Sequence, residues 1–143
     1  MDTVEHLARD RNGLEILERA DCLLLLTTVP VGRVAVTVDA LPVILPVNFS
    51  VSSAGEIVFA TKYGQKMRGA LDNAVIAFEA DAFDPVTKAG WSVLVQDRAQ
   101  ILTLENAAQY QHLEFERWAG GDATCYVVIG TALMSGRRIT PAA

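Results

Sequence analysis

A mainly β fold, a small barrel of about six strands with short helical covers, is predicted by three observations. Runs rich in β-branched and aromatic residues recur at short intervals, separated by turns containing Pro, Gly and Asp. Only two or three short stretches between them carry helical periodicity. The chain has 143 residues, 51% of them hydrophobic, which is one domain's length and enough apolar material to bury roughly 68–70% of the unfolded surface. A single domain over 1–143 follows, with residues 1–11 as a peripheral N-terminal segment.

Taken in order, Asn12 is placed to cap a short helix over 13–19, with Glu15 as its capping-box partner. The run Cys22-Leu23-Leu24-Leu25-Leu26 stays open: Asp21 and the leucines suit a helix, but its length also suits a short buried strand. Residues 33–38 (RVAVTV) form a strand, the turn 39–42 follows, then strand 43–51, turn 52–56 and strand 57–61, the spacing of an antiparallel meander. Residues 65–73 are helical, because Met67, Ala70 and Leu71 share a face. Strands over 75–79 and 91–102 are separated by the Asp84-Pro85 turn and a loop ending at Gly90. A helix over 105–118 and a last strand over 126–133 lead to the tail Gly136-Arg137-Arg138-Ile139.

Composition narrows the function. A net charge of −5 and an acidic pI near 4.9 argue against a nucleic-acid partner, which requires a basic face. No apolar run approaches the roughly 18 residues of a membrane span, and Met1-Asp2-Thr3-Val4-Glu5 lacks the start of a signal peptide. Cys22 and Cys125 are far apart without CxxC spacing, so neither a disulfide framework nor a zinc site is indicated. A cytoplasmic protein with reduced thiols is the expectation. His6 and His112 are the only histidines, and no HExxH, clustered ligand set or GxSxG elbow accompanies them, so metal and hydrolytic chemistry lack support. Glu79, Asp81 and Asp84 read as solvated charges at a strand end rather than a glycosidase pair. Catalytic residues stay unassigned, and redox or group chemistry would need a bound cofactor.

Two stretches suit such a cofactor. In Phe59-Ala60-Thr61-Lys62-Tyr63-Gly64-Gln65-Lys66-Met67-Arg68, three cations gather where a strand hands over to a helix. That junction suits a phosphate, through helix-end N–H groups and a neutralising lysine, and equally suits a solvated basic turn. It is not a P-loop, since the glycine spacing and Lys-Ser/Thr ending are missing. In Leu45-Pro46-Val47-Asn48-Phe49, a proline within a strand implies an edge or a bulge, whose backbone can meet a flat heteroaromatic ring. Asn48 can both donate and accept there. Trp91, after Gly90, fits core or interface packing as well as a ligand contact.

In order, Val31-Gly32-Arg33-Val34-Ala35, Leu41-Pro42 with Pro46-Val47-Asn48, Phe59-Ala60-Thr61 with Gly64-Gln65-Lys66, and Gly90-Trp91-Ser92-Val93 resemble the FMN-binding split-barrel group. More narrowly they resemble the pyridoxamine 5′-phosphate oxidase-related proteins, over about Ala20 to Ile139. The resemblance implies a six-stranded antiparallel split β-barrel, a helix opening at Asp21, and a homodimer with FMN in clefts at its interface. It implies an FMN-dependent oxidoreductase of a small molecule, or a non-catalytic dimer that binds FMN, a deazaflavin or haem. Residue by residue, Pro46, Val47, Asn48 and Phe49 would line the ring. Thr61 would approach the ribityl-phosphate, Lys66 would pair with the phosphate beside Gln65, and Arg68 would be a second cation. Trp91 and Ser92 would border the cleft from the partner subunit, and Arg33 could reach the cofactor or serve in an ion pair. The family's arginine–histidine ending, which grips the substrate phosphate in true vitamin B6 oxidases, is missing its histidine here.

Overall fold

Alternation of inward and outward side chains, the period-two mark of a half-buried strand, runs through every long strand of the chain. In the computed structural model, which describes residues 8–62, 64–110, 113 and 125–140, the strands are β1 (Glu15–Leu17), β2 (Val31–Val38), β3 (Leu41–Val51), β4 (Ile57–Thr61), β5 (Val75–Phe83), β6 (Gly90–Ile101), β7 (Cys125–Ile129) and β8 (Leu133–Ile139). The helices are α1 (Arg19–Leu26), α2 (Gln65–Leu71) and α3 (Leu104–Ala107), the last running into a 3₁₀ turn over Ala108–Tyr110. On β2, Val34 and Val36 are buried while Arg33 and Thr37 face out.

All pairings are antiparallel, and six strands close a ring in the order β2, β3, β4, β7, β6, β5. The six-stranded antiparallel barrel expected from the sequence is therefore present. β6 is long enough to serve two neighbours on one side. Its Ala99–Ile101 end pairs with β7 and closes the ring, and its Gly90–Gln96 end pairs with β8, which carries β1 outside the barrel. The interior is filled by Leu26, Val34, Phe59, Leu71, Phe78 and Val95, with Phe49 and Phe78 edge to face at 4.9 Å. No helix of the described residues is long and apolar enough to cross a membrane.

Three local expectations need correction. Residues 13–19 are not a helix: Gly13 turns at φ +79°, and the Asp10 carboxylate accepts the N–H groups of Asn12 and Leu14. That turn sends Glu15–Leu17 into β1 against Arg138–Gly136, and the helix starts only at Arg19. The open reading at Cys22 resolves as helix α1, whose Cys22 and Leu26 face the core. The last strand is two, β7 and β8. The chain breaks at 130–132, where the Thr131 hydroxyl donates to the Gly55 carbonyl and the Ala132 N–H donates to Asp97. Of the expected helix over 105–118, residues 105–107 are α-helical and 108–110 tighten into the 3₁₀ turn, while Gln111, His112 and 114–118, like His6, lie outside the described residues.

The two-residue turn between β2 and β3 has Asp39 at φ +49° and Ala40 at φ +64°, the primed geometry that twists in the sense of its strands and favours Asn-Gly. Alanine meets steric resistance there that glycine does not. Ala40→Gly is expected to stabilise the fold by about 0.5–1 kcal/mol, measured by urea unfolding. Equal or lower stability would show that the turn carries no strain.

Candidate functional site

The β3–β4 ladder holds only three residue pairs, Val51 with Ile57, Ser50 with Val58 and Phe49 with Phe59. Beyond Phe49 the two strands part. Positions 41–48 pair with β2 alone among the described residues, and β4 continues along β7 to the Thr61–Cys125 pair. This seam explains the prolines. Pro42 and Pro46 both lie on the outward, exposed parity of β3, where a missing N–H costs no ladder bond. The edge inferred from Pro46 is thus present.

Around the seam the expected residues divide by parity. Pro46 is exposed, and Asn48 sits half-buried with its amide donating to the Pro30 carbonyl at 3.3 Å. Val47 and Phe49 point inward and are buried, so their contribution to the seam is backbone and shape. On the other side, β4 ends at Thr61, and Lys62, Gln65, Lys66 and Arg68 are all exposed. α2 has seven residues and no side-chain cap, so positive charge here comes from side chains more than from a helix dipole. Lys66 meets the carboxylate of Asp39 at the tip of the β2–β3 hairpin, with both side chains about two-thirds exposed. Such surface pairs are worth roughly 0.2–1 kcal/mol, so this one is readily exchanged for another anion.

Trp91 and Ser92 are not brought to the seam within one chain. They lie on β6, separated from β3 by β5 and β2. Trp91 packs in the core, while Ser92 faces out between Asp81 and Arg137. The tail arginines are engaged as well: Arg137 donates to Asp10 at 3.0 Å, and Arg138 lies 3.8 Å from Glu15.

The acidic run corrects an expectation. β5 extends to Phe83 rather than ending at 79, so Glu79 and Asp81 are mid-strand, on one outward face, opposite Arg33. The Arg33 guanidinium lies 3.2 Å from Glu79 and 3.6 Å from Asp81, which makes it an ion-pair residue. Burial, then the hydrogen bond and charge of Asp81, push the Glu79 carboxyl up to about 7 against the pull of Arg33. The cluster edges a 320 Å³ hollow lined also by Ala35, Ile44, Ala77 and Leu94. Only Asp84 behaves as a turn residue, accepting the Val86 N–H at 2.8 Å. The i, i+2 spacing of Glu79 and Asp81 within a longer strand was the signal for this site.

Comparison with known proteins agrees with this fold. The family model for pyridoxamine 5′-phosphate oxidase matches residues 18–138. The uncharacterized protein Rv0080 of Mycobacterium tuberculosis is 35% identical, over 86% of this chain and 84% of its own. An FAD-binding protein from Mycobacterium smegmatis superposes with a TM-score of 0.73 at 33% identity, over 86% of this chain and 96% of that one. A Corynebacterium glutamicum protein, named as a candidate pyridoxamine 5′-phosphate oxidase, gives 0.78 at 32% identity, over 91% and 96%. With a family match spanning both sides of the seam and the whole barrel, the chain belongs to the pyridoxamine 5′-phosphate oxidase family.

Proposed function

We propose that the chain is an FMN-dependent oxidoreductase of a small molecule, working as a cytoplasmic homodimer. The observation that carries this reading is the seam. It sets an outward strand edge, Pro46 and Asn48, across from a strand end followed by exposed cations, Lys62, Lys66 and Arg68. A phosphorylated flavin fits that chemistry: a flat ring with donors and acceptors along its rim suits the edge, and a dianion suits the cations. FMN is the smallest flavin with such a phosphate. The relation to the Mycobacterium smegmatis protein, named for FAD binding, supports a flavin in this family branch. When bound, flavin supplies hydride and electron transfer; the chain's own part is to hold the ring, neutralise the phosphate and exclude water. A vitamin B6 substrate is disfavoured, because Arg137 and Arg138 are tied to Asp10 and Glu15 and the tail has no histidine.

The test is a visible absorption spectrum of purified protein, taken after adding FMN and removing the excess. A retained flavin spectrum, with the reduced form reoxidised by small acceptors faster than free flavin, is the expected result. Retention without faster reoxidation would make the protein a flavin carrier. Failure to retain FMN would overturn the cofactor assignment.

A further inference from the structure

The turn that joins β3 to β4 stands beside α1, and a 390 Å³ groove runs between them. Arg19, Leu23, Leu24 and Thr27, spaced to share one side of the helix, form one wall, and Val51 with residues 52–55 forms the other. The walls meet at Gly55. It turns at φ +79°, and a Cβ there would lie 3.6 Å from both Arg19 Nη2 and Leu23. The groove lies beyond the Val51–Ile57 end of the β3–β4 ladder, whereas the seam opens beyond its Phe49–Phe59 end. It is therefore a different place from the candidate cofactor site.

The one charge lining this groove is a cation that is fixed but unmatched. Arg19 Nη1 donates to the Thr131 carbonyl and Nη2 to the Thr131 hydroxyl at 2.8 Å, and that hydroxyl donates onward to the Gly55 carbonyl. Both acceptors are neutral, so they aim the guanidinium without neutralising it. Arg33, Arg137 and Arg138 each form an ion pair with a carboxylate, but among the described residues Arg19 forms none. Glu56, the acid of the turn itself, is engaged elsewhere: its carboxylate accepts from the Tyr110 hydroxyl at 2.8 Å and from the Ser52 hydroxyl at 3.3 Å. The Arg19 Nε–H has no acceptor among the described residues, and the exposed Ser53 hydroxyl has no partner among them. The rest of the groove is apolar or already satisfied. The Thr27 hydroxyl donates to the Leu24 carbonyl at 2.6 Å, and the Leu24 side chain stands 67% exposed.

We propose that this groove is a second ligand site, taking a small monocarboxylate with an apolar body. The carboxylate meets the free edge of Arg19 with the Ser53 hydroxyl beside it, and the body lies over Leu23, Leu24 and Val51. Charge selects the class. A guanidinium presents parallel N–H donors that match the two oxygens of a carboxylate, and one cation balances one negative charge. A phosphate dianion would keep half of its charge unmatched, and an amine would face Arg19 with like charge. The apolar body is required because a carboxylate on an exposed arginine gains little by itself, whereas covering Leu24 and its neighbours removes aliphatic surface from water. Thr131 already holds Arg19, so binding does not have to order that side chain. The site does not depend on the flavin reading.

The experiment is a proton–nitrogen NMR titration of the full chain with hexanoate, with acetate and hexylammonium as controls, on the wild type, Leu24→Glu and Arg19→Gln. Expected are saturable shifts at the amides of Ser53, Ala54, Gly55, Leu23 and Leu24. Hexanoate should bind about 10-fold or more tighter than acetate, and hexylammonium should give no saturable shift there. Leu24→Glu sets an anion on an exposed part of the wall, and it and Arg19→Gln are each expected to weaken hexanoate about 10-fold or more. Because Arg19 also holds Thr131, Leu24→Glu decides the matter if Arg19→Gln fails to fold. No saturable shift at these amides in the wild type, or shifts centred on the seam instead, overturns the site. Hexylammonium binding as tightly as hexanoate overturns the carboxylate class. Unchanged hexanoate affinity in Leu24→Glu overturns the placement of the body, and unchanged affinity in a folded Arg19→Gln overturns the role of Arg19.

Discussion

Phe78→Ala is expected to lower the unfolding free energy by about 3–5 kcal/mol, among the largest effects of a single truncation in this barrel. Phe78 is fully buried on β5, meets Phe49 of β3 edge to face, and spreads its ring over the Cβ position that Gly32 of β2 leaves vacant. One side chain thus fastens three consecutive ring strands. Removing it leaves a cavity that strands closed on themselves cannot collapse into, and forfeits an aromatic pair worth about 0.5–1.5 kcal/mol beyond its area. Gly32→Ala disturbs the same place from the other side by overpacking, with an expected cost of about 1–3 kcal/mol. Because the two sites touch, Gly32→Ala combined with Phe78→Leu should cost less than the sum of the single changes. Denaturant unfolding of the four proteins measures this, and strict additivity would mean that the ring does not press on β2.

The second large effect is on cofactor binding. Lys66→Ala is expected to weaken FMN affinity about 10–100-fold, the loss of one charge-assisted contact of roughly 1.5–3 kcal/mol. Riboflavin, which lacks the phosphate, should bind the variant and the wild type alike. The ion pair with Asp39 adds a signed companion: Asp39→Asn frees Lys66 and removes a competing anion, so FMN affinity should rise a few-fold. Fluorescence titration with both flavins separates these outcomes. Equal losses for FMN and riboflavin in Lys66→Ala would remove Lys66 from the phosphate site and make it a structural residue.

Legibility from sequence followed the range of the interactions involved. The meander β2–β3–β4 could be read nearly to the residue, because alternation and turn residues are local signals and the structure adds no competing partner there. The helix over 13–19 failed because a local capping pattern lost to the Gly13 turn and to pairing with β8, more than a hundred positions away. Splitting of the last strand at Thr131 likewise depends on Gly55 and Asp97, distant groups that no window of sequence contains. At the site, Pro46 announced its own edge. Arg33, Glu79 and Asp81 were individually visible, but their union requires the β2–β5 register. Similarly, nothing near Lys66 in sequence names Asp39 as its partner.

The ring closes only when β7 inserts between β4 and β6. β7 is nearly the last strand made. A nascent chain on the ribosome must therefore wait, with β4 and the end of β6 presenting unpaired backbone, until Cys125–Ile129 has left the exit tunnel. Premature termination or a nick before β7 would leave an open sheet with two raw edges, the form of this chain most prone to pair with its neighbours and precipitate.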